Sequence, residues 1–339
     1  MQKNLRSLLE KRVGRWYNGR ARNTDGGDEV EVFTSTLNQT AFLFSFIIIG
    51  FVLAKIGTVP KNTATVLSKL ENVLFVPALV FGTFAQNFTR ERIGAFRDLL
   101  LASVILFIVL LPISLFVPRL LTKDKYLQHI DTYGLAFANF GFMGNAVVSA
   151  LFPGIFLEYI IFTIPLWTAI YVWAVPALLI ADEGKREGFL ARLKKLLNPM
   201  FIGMLLGALV GTLDIRLPSF AMSVVTASGN CMSPIAMLLT GMTVSAISLK
   251  KTFTNVHIYI LTVIRLVAIP LLFVLAAHLL HIEGTLYICA LCALSMPLGL
   301  NTVVIPSAYG KDTTVAAGMA VVSHLLSCLT IPLIFALFG

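Results

Sequence analysis

The chain has 339 residues, of which 57% are hydrophobic and 13% charged, and its mean hydropathy is +0.86. That composition excludes a water-soluble globular domain, because its apolar residues come in runs of about 20, the length a bilayer asks of a crossing helix. The net charge of +9 would suit a nucleic-acid partner only as a basic face on a soluble module. Here Lys and Arg sit in short segments between apolar runs, so no nucleic acid is expected and a lipid bilayer is.

Residues 1–37 differ from the rest and read as a polar N-terminal tail. Lys3, Arg6, Lys11, Arg12, Arg15, Arg20 and Arg22 precede an acidic stretch from Asp25 to Glu31. No short apolar stretch with a small-residue cleavage site follows the basic region, as a secretory signal would require. Ten apolar spans are then predicted, near 38–57, 64–86, 98–121, 132–152, 157–180, 198–213, 219–247, 255–280, 284–308 and 313–338. The connections are short, the longest running from Ala181 to Leu197. The chain divides into a first five-helix repeat at 38–181, a cytoplasmic linker at 182–197 and a second repeat at 198–339.

Loops that remain in the cytoplasm keep an excess of Lys and Arg. The odd-numbered loops hold most of them, among them Lys55, Lys61, Lys69, Arg119, Lys123, Lys125, Lys185, Arg186, Arg192, Lys194, Lys195, Lys250, Lys251 and Lys311. The even-numbered loops hold Arg90, Arg92, Arg97 and Arg216. Both termini are therefore expected outside, in a multi-pass protein of the plasma membrane.

The second half repeats landmarks of the first at an offset of 156 to 158 residues. Gly50 falls on Gly207, Pro77 on Pro234, Pro112 on Pro270, Asn145 to Val148 on Asn301 to Val304, Gly154 on Gly310, and Pro176 on Pro332. Each repeat has an odd number of spans, so the second must insert upside down relative to the first. In such architectures the binding site lies near the midplane, where interrupted helices of both repeats meet.

Spans four and nine carry the expected interruptions. Span four holds Asn139, Gly141, Gly144 and Asn145. Span nine holds Ser295, Pro297, Gly299 and Asn301, followed by Pro306. A helix broken in lipid needs its freed backbone groups satisfied, and an opened N-terminus offers N–H groups and a positive dipole end to a carboxylate. Asn139, Asn145 and Asn301 can donate to the same anion or cap the helix ends. The plainer alternative is that these small and amide residues only let helices pack closely.

Few ionisable groups lie inside spans, where they are costly and usually face an interior cavity. Arg265 is expected to add positive potential to an anion site, Glu71 to carry a coupling proton, and His324 to bond substrate or titrate. Against this, Glu71 can face a cytoplasmic vestibule beside Lys69, and Arg265 can snorkel or make a structural pair. Cys231, Cys289, Cys292 and Cys328 read as core thiols. His129 and Asp131 lie close in loop three but have no partner nucleophile. No metal, cofactor or enzyme activity is expected.

Several stretches carry a resemblance. Leu74 to Phe81 with Pro77, Asn139 to Val148, Asn198-Pro199, Arg265 to Pro270, and Met296-Pro297 through Asn301 to Gly310 resemble the auxin efflux carrier family, in the form of its bacterial malate and malonate permease-like branch. The resemblance covers roughly residues 38–338. It implies an all-helical ten-span fold, similar to bile-acid and sodium/proton carriers, whose spans four and nine cross at the substrate site. It also implies a mobile domain of spans three to five and eight to ten, and a scaffold of spans one, two, six and seven through which a homodimer forms. Plant members place a proline at each crossing, which maps to Ala146 and Thr302 here. The expected activity is secondary transport of a small organic anion, a dicarboxylate such as malate or malonate, by elevator-like alternating access. Substrate contacts are expected at Asn139, Asn145, Pro297, Asn301 and Arg265, and coupling at Glu71 and His324, with proton and sodium both fitting the polar groups. The alternatives are efflux of an auxin-like aromatic acid, or a ligand-binding membrane receptor or channel.

Overall fold

The structure, a computed structural model, describes residues 26–60, 62–90, 93–180, 197–245 and 255–339. The basic residues from Lys3 to Arg22, together with Lys61, Arg92, Lys185 to Lys195 of the linker, Lys250 and Lys251, lie outside the described residues. Among the described residues the fold is helical, with no strand and one isolated antiparallel bridge.

In chain order, α1 (Gly26–Lys55) is followed by α2 (Thr63–Leu70), which passes through a π turn (Glu71–Phe75) into α3 (Val76–Asn87). Next come α4 (Ile93–Leu121), α5 (Lys125–Ala136), a π turn (Phe140–Gly144) leading into α6 (Asn145–Leu151), and α7 (Phe156–Ala169), continued by π-helical Ile170–Leu179. The second half holds α8 (Pro199–Thr212), α9 (Ser219–Asn230), α10 (Met232–Ser245) and α11 (Val256–Val263). It continues through a π turn (Ile264–Ala268) into α12 (Ile269–Leu279), then α13 (Gly284–Leu294), α14 (Asn301–Ala308) and α15 (Thr314–Phe338). Six helical stretches are long and apolar enough to cross a membrane, and four more apolar helices are shorter: Ala41–Lys55, Phe140–Leu151, Pro199–Thr212 and Gly284–Leu294.

Two boundaries differ from expectation. The first helix begins at Gly26, so residues 26–37 are helical rather than tail. The fourth span begins at Lys125 because the Asp124 carboxylate caps it, accepting from the Tyr126 and Leu127 N–H groups at 2.9 and 3.3 Å. The same device opens α8, where Asn198 accepts from the Phe201 N–H at 3.0 Å and Pro199 takes the first helical position, which has no use for an N–H.

Prolines account for part of the π geometry. Pro77 and Pro270 are each the second residue after a π turn. A proline lacks the N–H that the fourth preceding carbonyl would receive, and one wide turn relieves the clash while the helix continues.

Close packing of four helices fixes one side of the molecule. α1 lies against α10, and α3 against α8. A Cβ on Gly50 would collide with the Leu238 carbonyl, and one on Gly207 with the Phe81 carbonyl. The two contacts are reciprocal: the offset of 157 that carries Gly50 onto Gly207 also carries Phe81 onto Leu238. Outward, α4 presents Ile105, Ile108 and Val109, each about 60% exposed, as expected of a surface whose solvent is lipid. The deepest burial lies elsewhere, over Ile130–Val148, Phe156–Ile170, Ile288–Leu298 and Ala316–Ser327.

A Cβ on Gly241 would strike the Ile47 carbonyl, whereas one on Gly94 meets nothing within 4 Å. Gly241→Val is expected to destabilise the folded protein by about 1–3 kcal/mol through overpacking, and Gly94→Val to stay within about 0.5 kcal/mol. Thermal unfolding of both variants in detergent measures the difference.

Candidate functional site

α5 stops at Ala136 and the chain runs extended to Asn139 before the π turn that leads into α6. α13 stops at Leu294 and the backbone is irregular until α14 starts at Asn301. Pro297 enforces the second break, since it cannot donate and the residue before it is driven out of helical geometry. The two interruptions lie side by side. Ala138 and Leu298 form an antiparallel bridge, and the Asn139 N–H donates to the Pro297 carbonyl at 2.7 Å. Gly299 permits this approach, because a Cβ there would stand 3.1 Å from the Phe137 carbonyl. The Leu298 N–H is taken by the Ser323 hydroxyl of α15 at 3.2 Å.

Two helix C-termini with freed carbonyls point into this junction, and Arg265 meets both. Its Nη1 donates to Leu135 O at 2.9 Å, at the end of α5. Its Nη2 donates to Leu294 O and Ala293 O at 3.0 and 3.3 Å, at the end of α13, and its Nε to Met296 O at 3.3 Å. The guanidinium is 1% exposed. A fixed cation among the negative ends of two helix dipoles satisfies groups that lipid cannot. Arg265 thus holds the backbone of both breaks by its four bonds, and it is not among the residues lining the cavity beside the two asparagines.

The N-terminal side of the junction carries amides. The Asn301 amide donates to the Tyr133 hydroxyl at 2.9 Å. The Asn139 amide lies 3.0 Å from Nε2 of His324, whose Nδ1 lies 2.6 Å from the Ala320 carbonyl. A carbonyl only accepts, so Nδ1 carries the hydrogen, Nε2 accepts, and Asn139 is the donor. His324 therefore sits behind Asn139 and orients it. Asn145, the first residue of α6, is buried but does not line the cavity.

The cavity has ≈ 20 Å³, about the room of one water. Tyr133, Asn139, Gly141, Trp167, Gly299 and Asn301 are among its walls. Trp167 meets Phe140 edge-on at 5.2 Å and stacks on Tyr171 at 5.9 Å. A Cβ on Gly141 would collide with the Trp167 ring. Sequence reasoning missed Tyr133 and Trp167. The available signal was rarity: of three tryptophans in the chain, Trp167 lines the cavity and Trp173 packs on Phe137 at 6.3 Å.

Glu71 stands apart from this group. It is fully buried in the π turn of the second span, against α8, α9 and α10, and neither carboxylate oxygen has a hydrogen-bond partner among the described residues. It does not line the cavity at the junction. Cys289 and Cys292 are buried free thiols.

Apolar helices of bilayer length, with two interrupted helices joined back to back in the interior, define a multi-pass membrane transporter. The family model described as membrane transport protein matches the chain twice, over residues 35–191 and 188–335, and the chain belongs to this family, that of the auxin efflux carriers. No curated protein matches the chain.

Replacing Arg265 by Met would leave its four carbonyls buried without partners, at about 1–3 kcal/mol for each that finds no substitute. Arg265→Met is expected to lower the thermal midpoint in detergent well below that of Arg216→Met, which changes an exposed arginine. Arg265→Lys, a single point charge without the planar fork, should fall between them.

Proposed function

We propose that this protein is a secondary transporter that carries small organic anions across the plasma membrane by elevator-like alternating access, binding the carboxylate at the junction of its two interrupted helices. The observation that carries this reading is the sorting of the junction. A buried arginine meets the C-termini, while two asparagines, Asn139 and Asn301, stand at the opened N-termini beside a cavity. Backbone N–H groups, positive dipole ends and amide donors converge there, and this set suits a carboxylate. Binding requires the cavity to widen, since it has room for about one water, and movement of one helix group against another would supply that.

The six long and four shorter apolar helices support ten crossings, and the reciprocal contacts of Gly50 and Gly207 support two five-helix repeats related by inversion. In this reading the repeats span 38–181 and 198–339, and both termini lie outside. Spans one, two, six and seven form the scaffold and homodimer contact, while spans three to five and eight to ten move. A dicarboxylate such as malate or malonate is the proposed cargo of the widened site. A second reading, an aromatic monocarboxylate, is favoured by Trp167, Tyr133 and the other ring-bearing walls, and by the commitment of Arg265 to carbonyls, which removes it as partner for a second carboxylate. Glu71, buried with no hydrogen-bond partner among the described residues, is the proposed carrier of a coupling proton, with sodium as the alternative ion.

Loss of one hydrogen bond to a charged group costs about 1.5–3 kcal/mol, so Asn139→Ala and Asn301→Ala should each cut uptake at low substrate by roughly ten- to a hundredfold at unchanged membrane abundance. Normal uptake in a variant removes that residue from the site. Glu71→Gln should uncouple flux from an imposed pH gradient, and an unchanged response excludes Glu71 as the carrier.

A further inference from the structure

Asp131 lies two residues from His129 in sequence, yet the structure joins it to a histidine 126 positions away. Nε2 of His257, in the first turn of α11, lies 2.9 Å from Oδ2 of Asp131 on α5. The pair bridges the two halves of the chain. Asp131 is fully buried and its Oδ1 has no hydrogen-bond partner among the described residues. The His257 side chain retains 14% exposure, so protons reach the pair through the imidazole edge.

We propose that Asp131 and His257 form a proton-binding site whose charge sets the affinity for an anion at the helix junction. With one proton shared, as carboxylate and imidazolium or as acid and imidazole, the pair is neutral. Without it, a carboxylate faces a neutral imidazole and the pair carries one negative charge. α5 runs from Asp131 towards the junction, and Asn139 is eight residues on, which places the pair on the order of 10–15 Å from the asparagines. At that range and an effective dielectric near 20, a unit charge changes the affinity for an anion by roughly tenfold.

Cations stand on the elements around the pair, and they act alike on both protonation states, so losing the proton still changes the local charge by one unit. Among the groups on elements packed against α5 and α11, Arg265 binds carbonyls, His324 is held by Asn139 and Ala320, and Tyr171 stacks on Trp167. α4 contributes Arg119 in its last turn, while its Arg97 pairs with Asp98 at the other end. α5 itself carries Lys125 and His129, and Asp124 at its cap is a further charge that repels Asp131. Lys311 stands over the Tyr126 ring. The sign follows: in acid the pair is neutral and the anion binds well, and as pH rises the pair loses its proton and binding weakens. Linkage makes this reciprocal, so a bound anion raises the pair's hold on its proton.

The inference rests on the reading of the junction as an anion site, and the test separates the two. Binding of malate, malonate and indole-acetate to the purified full chain is measured across a pH series, for wild type, Asp131→Asn and His257→Gln. In parallel, infrared difference spectra of wild type follow the carboxyl C=O band with pH, and its loss in Asp131→Asn assigns it. Wild type should lose roughly tenfold in affinity between the acid and neutral plateaus, while Asp131→Asn should stay near the acid value throughout. His257→Gln should move the midpoint of the carboxyl band. A wild-type pH slope retained in Asp131→Asn overturns the proposal, and so does a wild-type carboxyl band that does not respond to pH, a result independent of how the variants fold. Absence of binding by all three acids to wild type overturns instead the anion reading of the junction.

Discussion

Four backbone carbonyls from the ends of two different helices converge on one guanidinium, and much of the interior depends on that meeting. In lipid, an interrupted helix leaves carbonyls and N–H groups that no solvent will take. Two such interruptions, placed back to back, share one solution on the carbonyl side in Arg265. With that side closed, the N-terminal side remains for Asn139, Asn301 and a ligand. The asymmetry has a physical root: a helix C-terminus attracts a fixed cation, and a helix N-terminus attracts an anion.

The rest of the molecule reads as support for that junction. Ser323 and His324, adjacent on α15, hold Leu298 and Asn139, one residue on each interruption. Tyr159 donates to the Phe140 carbonyl at 2.9 Å, in the π turn that follows the first break. Across from these, Ser233 of α10 reaches the Ala146 carbonyl at 3.4 Å, a thin polar contact between α6 and a helix of the glycine-packed group. Few polar bonds tie α6 to α10, whereas α1 and α10, like α3 and α8, pack backbone against backbone at glycines.

Much of the architecture was legible because the signals were local. Hydropathy placed the helices to within a few residues apart from the first and fourth, the fourth opening at a capping aspartate ahead of the apolar run. Glycine, proline and asparagine at matched positions pointed to the interruptions. What escaped the sequence were long-range partners. An arginine inside a span announces that it is paired, but not that it serves carbonyls on α5 and α13. Tyr133 and Trp167 look like ordinary apolar-face aromatics until the fold sets them beside Gly141 and Asn301. Asp131 and His257 are separated by too many residues for spacing to connect them. Glu71 was correctly singled out as costly, yet its position among α8, α9 and α10 could not be read from its neighbours.

The central claim is that the junction binds a carboxylate and exposes it alternately to either side of the membrane. Counterflow in liposomes containing the purified protein tests it most directly: vesicles loaded with unlabelled malate, malonate or indole-acetate, diluted into a trace of the same labelled acid. The account predicts transient, saturable accumulation of label for at least one of these acids, since an alternating site exchanges faster than it empties. Label that only equilibrates, at a rate that does not saturate, would contradict it and make the protein a channel.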